Sequence, residues 1–374
     1  MMQERKSNFE LLRIIAMLMV MSLHALGHGG VLKQYSVGTV GYTVFWLIEA
    51  FCYVAVNCFV LITGYFMINS DFKISRIIKL MFQVEFYSIL CTAIAYFIFH
   101  QTITLKDLVY AIFPLTSREY WFASCYAVLL ILAPFINWIV SHISQKNLFL
   151  TNIVLSVLFC LIPTVFFWSK TWLCNGNDIV WFVTLYFVAS YIRLYGERYL
   201  QKKNFFLLYF IFVLGGYASK ILIATVSDKL WGTEKGANLL FSYNSVIFFP
   251  AAVCLFMTFC QMGVKLNKIL NVIAKIGSLS FGAYLWTEHG LIRAPLWKII
   301  NVSGKYQNNV GRTLAYVICV VFALFLIGIF IEWIRLKLMR LLRLKRFLEK
   351  CDDRAEILKE KLEHRIDRNR EWLS

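Results

Sequence analysis

Charge is scarce in this sequence. Only 16% of its 374 residues are Asp, Glu, Lys or Arg, and no stretch ahead of the C-terminal tail is hydrophilic enough to make a soluble domain. Proline is scarcer still, five residues in all, so long helices can run with few interruptions. Cysteine is present, but it forms no CxxC pair. Most cysteines (Cys52, Cys58, Cys91, Cys125, Cys160, Cys254, Cys260, Cys319) fall inside apolar runs, which argues against a disulfide framework or a thiolate zinc site. HExxH, a Walker-type loop and GxSxG are all missing. Metal hydrolysis, nucleotide hydrolysis and α/β-hydrolase chemistry therefore lack their residues, and no resident metal is expected. Internal repeats and low-complexity tracts are also missing.

What the chain has instead is apolar surface. With 60% hydrophobic residues, 17% aromatics and a mean hydropathy of +0.66, it reads as an integral membrane protein. The net charge of +17 does not call for nucleic acid, because the basic residues are spread over short loops and the tail. Positive-inside topology and anionic inner-leaflet lipid account for them.

Apolar runs of span length fall near 9–28, 42–68, 77–99, 121–142, 148–168, 178–194, 205–226, 238–261, 273–295 and 313–335. The expected fold class is an all-α integral membrane bundle of about ten transmembrane helices, multi-pass in the cell membrane. One set of alternate loops carries Arg5 and Lys6, then Lys73, Arg76 and Lys79, then Lys146, then Arg193, Arg198, Lys202 and Lys203, then Lys265, Lys268 and Lys275. In the other set Lys106, Arg118, Lys229 and Lys235 are offset by Asp107, Glu119, Asp228 and Glu234. Both termini are therefore expected in the cytoplasm. The division into domains follows: 1–335 a polytopic membrane domain, and 336–374 a basic tail. In that tail Leu338, Leu341, Leu342 and Leu348 among Arg and Lys suggest an amphipathic helix on the inner leaflet, followed from Asp352 by a solvated mixed-charge helix.

The first run, NFELLRIIAMLMVMSLHALGH from Asn8 to His28, carries Glu10, Arg13, His24 and His28. At helical spacing Glu10, Arg13 and His24 share one face, and His28 lies one turn further. Arg13 and His24 are then roughly 16 Å apart along the axis, about half the hydrocarbon thickness. A signal anchor would place its arginine ahead of the apolar run. Here Arg13 is inside it, and an ionisable residue within a span is by default a candidate functional group.

Other candidates follow in chain order. Glu49 and Asn57, eight residues apart, can share a face of the second run. Thr63-Gly64-Tyr65-Phe66 makes a small-residue notch for a neighbouring helix or a ligand chain. Arg76 and Lys79, one turn apart, can hold phosphate or simply anchor the loop. Arg118-Glu119-Tyr120-Trp121-Phe122 opens a later span, where an aromatic belt and a sugar contact are both open readings. Glu288 and His289 follow SLSFGAYLWT. His100, His142 and His364 lie at helix ends or in the tail and need no special account.

Together these pieces resemble the membrane acyltransferase 3 family. Glu10-Leu-Leu-Arg13 through His24 resembles its first-span signature, and Val56-Asn57-Cys58-Phe59-Val60-Leu61-Ile62-Thr63-Gly64-Tyr65-Phe66 its second-span motif. Arg76-x-x-Lys79 is similar to its RxxR pair with Lys in the last place. Tyr120-Trp121-Phe122 and Ser280-Phe281-Gly282-Ala283-Tyr284-Leu285 resemble two later motifs, with Thr287 standing where the family motif continues to a histidine. The resemblance covers about 8 to 335 and implies a stand-alone polysaccharide O-acetyltransferase.

Such an enzyme would take an acyl group, acetyl in the first instance, from cytoplasmic acyl-CoA to a hydroxyl of a cell-surface or lipid-linked glycan. The catalytic candidates are His24, Glu10 and Arg13, with His24 acting either as base or as a transient acyl carrier. Arg13, Arg76, Lys79 and Gly64 are the candidates for holding acyl-CoA. Glu49, Asn57, Arg118, Tyr120, Trp121, Glu288 and His289 are the candidates for the acceptor. A homo-oligomer is left open. The rival expectation is a secondary transporter of a small solute or lipid-linked sugar, with Glu49, Arg13 and His24 as a proton relay.

Overall fold

The computed structural model describes residues 7–196, 204–262, 268–307 and 309–371, without the side chains of 7, 171, 268–271, 359–360 and 362–371. Arg5, Lys6, Arg198, Lys202, Lys203 and Lys265, and the side chains of Lys268 and His364, lie outside that set.

The described residues are helical and contain no strand. In chain order the elements are α1 (Ser7–Gly27), α2 (Val31–Gln34), α3 (Val40–Cys52), α4 (Ala55–Met67), α5 (Ile74–Phe97), α6 (Leu105–Ile112), α7 (Trp121–His142) and α8 (Gln145–Ser156). A π-turn at Val157–Leu161 leads into α9 (Ile162–Val165), a 3₁₀ turn (Phe167–Thr171) and α10 (Ile179–Tyr195). Then come α11 (Phe205–Trp231), α12 (Phe248–Gln261), α13 (Lys268–Leu279), α14 (Phe281–Thr287), α15 (Gly290–Ile300), α16 (Val302–Lys305), α17 (Val310–Leu341) and α18 (Leu344–Glu371).

Seven stretches among the described residues are long and apolar enough to cross a membrane, and two shorter apolar helices, α10 and α12, accompany them. The expected span at 238–261 is helical only from Phe248. The expected span at 273–295 is divided among α13, α14 and α15, with Glu288 and His289 at the second break.

α1 is the central post. It packs against α3, α4, α12, α13, α14 and α17, and Leu12, Ala16, Met21 and Ala25 on it are fully buried. The second span bends between α3 and α4 at Tyr53–Val54, and α4 then presses on α10.

Proline inside a helix leaves a carbonyl four residues back without its donor, which hydrocarbon cannot satisfy. Two side chains from elsewhere supply it. Pro163 would orphan the Phe159 carbonyl, and the buried Asn244 Nδ2 donates to it at 2.8 Å. Pro295 would orphan that of Leu291, and Gln101 Nε2 donates to it at 3.1 Å.

The start of the tail packs against the helix bundle. A single helix, α17, runs through the expected boundary at 335/336 to Leu341, and Arg343 just beyond it turns the chain at φ +53°. Leu341 and Leu342 are exposed, but Leu348 on α18 is buried and Phe82 meets Phe347 edge-on. Asp352 Oδ1 accepts from the Ser75 amide at 2.8 Å, closing the N-terminus of α5. α18 is docked on α5 because it brings both an apolar side chain and a capping carboxylate to it.

Candidate active site

Along α1 the ionisable residues separate into two groups. At the first, Arg13 pairs with the buried carboxylate of Glu10 one turn before it. This pair stands in the wall of a cavity of about 520 Å³, whose polar lining includes Thr63, Arg76, Lys79 and Gln83. Arg76 Nη1 donates to Ser70 Oγ at 3.0 Å, holding its guanidinium at the mouth. Phe9, Phe59, Phe66, Phe122 and Phe281 make the rest of the lining largely aromatic. The cavity is therefore cationic at one end and apolar within.

At the second group, His24 Nδ1 lies 3.1 Å from Glu288 Oε1. The separation is that of an ion pair, while the angle misses that of a hydrogen bond. Glu288 Oε2 faces His28 Nε2 and Arg293 Nη1, both at 3.5 Å. Between the two groups stand stacked aromatics. Phe122 and Phe281, at the cavity, approach each other at 6.2 Å between ring centroids, Phe281 stacks on Tyr284 at 5.6 Å, and Tyr284 meets His24 at 6.3 Å.

The chain matches the acyltransferase 3 family, described as an acyltransferase domain, over residues 6–333. It belongs to that family. No curated protein and no solved structure matches it. This acyltransferase is a multi-pass membrane protein, as the seven long apolar helices among its described residues and its family agree.

The structure gathers some of the candidate residues of this acyltransferase and disperses others. Glu288 meets the first-span histidine directly, whereas Glu10 is engaged with Arg13, fourteen residues from His24 on the same helix. Glu10 is thus too far to orient His24. Gly64 does not line the cavity. A Cβ there would stand 2.9 Å from Ala189 Cβ and 3.0 Å from Tyr186 Cα, so the glycine lets α4 and α10 touch. Asn57 is fully buried, donating to the Tyr243 carbonyl at 2.7 Å and accepting from Trp181 Nε1 at 3.0 Å. Those bonds make it a structural node.

Tyr120 is buried edge-on against Tyr284 and His289, as a wall and not a surface. His289 is the N-cap of α15: its Nδ1 accepts from the Leu291 amide at 3.3 Å, and Glu119 takes the Gly290 amide at 2.5 Å. Two orphan donors at the helix break are satisfied in this way. Glu49, 8% exposed, keeps one carboxylate oxygen without a hydrogen-bond partner among the described residues. Trp121 stacks on Tyr243, which stacks in turn on Tyr53, and Arg118 is exposed with φ +57°.

Two buried charge clusters were not anticipated from the sequence. Lys220, 1% exposed in α11, binds Glu234 Oε2 at 3.0 Å and Asn238 Oδ1 at 2.9 Å, and lies 3.7 Å from the Trp46 ring centre. Glu234 is thus committed to Lys220 and is not simply a loop charge balancing Lys235. Glu332 and Arg335 form a bidentate pair in α17, joined by Gln83 of α5 at 3.0 Å. The available signal was a lone lysine in an apolar run, and a Glu-x-x-Arg spacing that repeats Glu10-x-x-Arg13.

Proposed function

We propose that this acyltransferase takes an acyl group, acetyl in the first instance, from cytoplasmic acyl-CoA to a hydroxyl of a cell-surface or lipid-linked glycan. The observation that carries the reading is the arrangement along α1. A cavity with cations at its mouth and an aromatic interior lies at the Arg13 end, and a histidine–carboxylate dyad lies beyond it. Arg76 and Arg13 offer guanidinium forks to phosphate, and Lys79 adds a point charge. The aromatic part of the lining suits a pantetheine arm. With the Arg13 end in the cytoplasm, as the positive-inside reading has it, donor and acceptor approach from opposite faces.

In this reading Glu288 accepts a hydrogen bond from Nδ1–H of His24, which keeps the proton there and leaves the Nε2 lone pair free as base. Nε2 takes the proton of the acceptor hydroxyl as its oxygen attacks the thioester carbonyl. Collapse of the tetrahedral adduct expels the CoA thiolate, which recovers that proton, and the ester remains on the glycan. Phe122, Phe281 and Tyr284 must part for the thioester to reach His24, and in the closed state they keep water from it. Trp121, half-buried in its stack on Tyr243, suits an acceptor sugar by stacking, and the unpartnered oxygen of Glu49, buried in the closed state, suits it by hydrogen bonding once the site opens.

The experiment uses inside-out vesicles given labelled acetyl-CoA and the host glycan, with native protein and His24→Ala at matched levels. Label on glycan with the native protein, reduced ~100-fold or more by His24→Ala, is the expected result. Equal transfer by both would make His24 structural and defeat the mechanism.

A further inference from the structure

The dyad has a third donor at its rim. His28, one turn beyond His24, directs Nε2 to the second oxygen of Glu288 at 3.5 Å, while His24 Nδ1 faces the first at 3.1 Å. One donor atom from each of the three residues lies within 4.8 Å of the other two. Two imidazoles and a carboxylate are the ligand set of a zinc site with one open position. Zinc–ligand bonds of about 2.0–2.1 Å at tetrahedral angles put ligand atoms roughly 3.4 Å apart. His24 Nδ1 meets one carboxylate oxygen at 3.1 Å and His28 Nε2 the other at 3.5 Å, each close to that value. Rotation of the imidazole of His28, whose side chain is 40% exposed, closes the rest.

We propose that His24, His28 and Glu288 form a site for a zinc-class divalent cation whose binding excludes acyl transfer. The binding stands on the donor geometry alone; the exclusion rests on the reading of His24 as the base. Imidazole nitrogens select borderline ions over calcium or magnesium, which prefer all-oxygen shells. Arg293, 3.5 Å from Glu288 Oε2, neutralises the carboxylate in the absence of metal. Its side chain is 45% exposed, so the guanidinium can turn to water when a cation takes its place.

Exclusion follows from the tautomer. A metal on His24 takes the Nδ1 lone pair, so the one remaining ring proton moves through solvent to Nε2. The nitrogen that must accept the hydroxyl proton then carries one already.

The test measures zinc binding to the purified full-length protein in detergent by competition with a chromophoric chelator, alongside thermal unfolding. Native protein is expected to bind one zinc and to unfold at higher temperature with it. His28→Gln should weaken binding ~10-fold or more, Arg293→Gln should tighten it by removing a like charge, and His142→Gln, on the exposed end of α7, should change nothing. Equal affinity of native protein and His28→Gln, or weaker binding by Arg293→Gln, overturns the site; the arginine variant decides the matter should His28→Gln fail to unfold cooperatively. In the vesicle assay, zinc should stop native transfer, a chelator should restore it, and His28→Gln should continue at the same zinc level. Native transfer that persists with zinc bound overturns the exclusion. Zinc binding that depends on His28 in a protein with no transfer under any condition refutes the acyl-transfer reading and leaves the site standing.

Discussion

Glu10 and Glu288 are the same side chain with different neighbours: the first meets a guanidinium at a cavity wall, the second two imidazoles and a guanidinium at the far end of α1. A carboxylate that orients a base acts on the chemical step, whereas one that fixes a phosphate-binding arginine acts on donor affinity. Glu288→Gln is therefore expected to lower kcat by ~10²-fold with little change in the KM for acetyl-CoA. Glu10→Gln is expected to raise that KM several-fold with a smaller effect on kcat. Steady-state transfer kinetics separate the two, and a KM effect from Glu288→Gln would mean that the dyad binds donor instead.

At the scale of elements, close approach depends on what is missing between helices. Gly64 lets α4 rest on the Tyr186 backbone of α10, with no room for a side chain at 2.9–3.0 Å. Gly64→Val should cost about 1–3 kcal/mol by overpacking. A lower unfolding temperature with unchanged KM for acetyl-CoA is the expected pair of results, and a raised KM at unchanged stability would return the glycine to the donor site. The tail gives a second element-scale prediction. Removing the Asp352 carboxylate uncaps α5 beside Arg76, so Asp352→Ala should cost about 1 kcal/mol and speed amide exchange at Ser75 and its neighbours.

For the whole molecule, the break at Glu288–His289 is the feature that most resembles a transporter, since broken helices hold solutes with their free backbone groups. Here those amides are committed: Leu291 donates to His289 and Gly290 to Glu119. A helix start whose first two amides are taken in this way argues for chemistry by side chains. Transfer to glycan should thus proceed unchanged when a protonophore collapses the membrane gradient. Uptake of a solute that fails with the gradient, in the absence of any acyl transfer, would favour the transporter.

The sequence by itself determined the membrane class, the family and the placing of Arg13 and His24 on one helix, because apolar run length and helical period are local properties of a chain. Tertiary structure alone decided which carboxylate faces His24. Glu10 is fourteen residues away on the same helix, whereas Glu288 is brought to 3.1 Å by the break after α14. It likewise assigned Gly64 and Asn57 to packing and His289 to a helix cap, and gave Lys220 the partner Glu234. A small or polar residue in a span has the same local signature whether it faces a ligand or a neighbouring helix. Only the helix placed opposite it settles which.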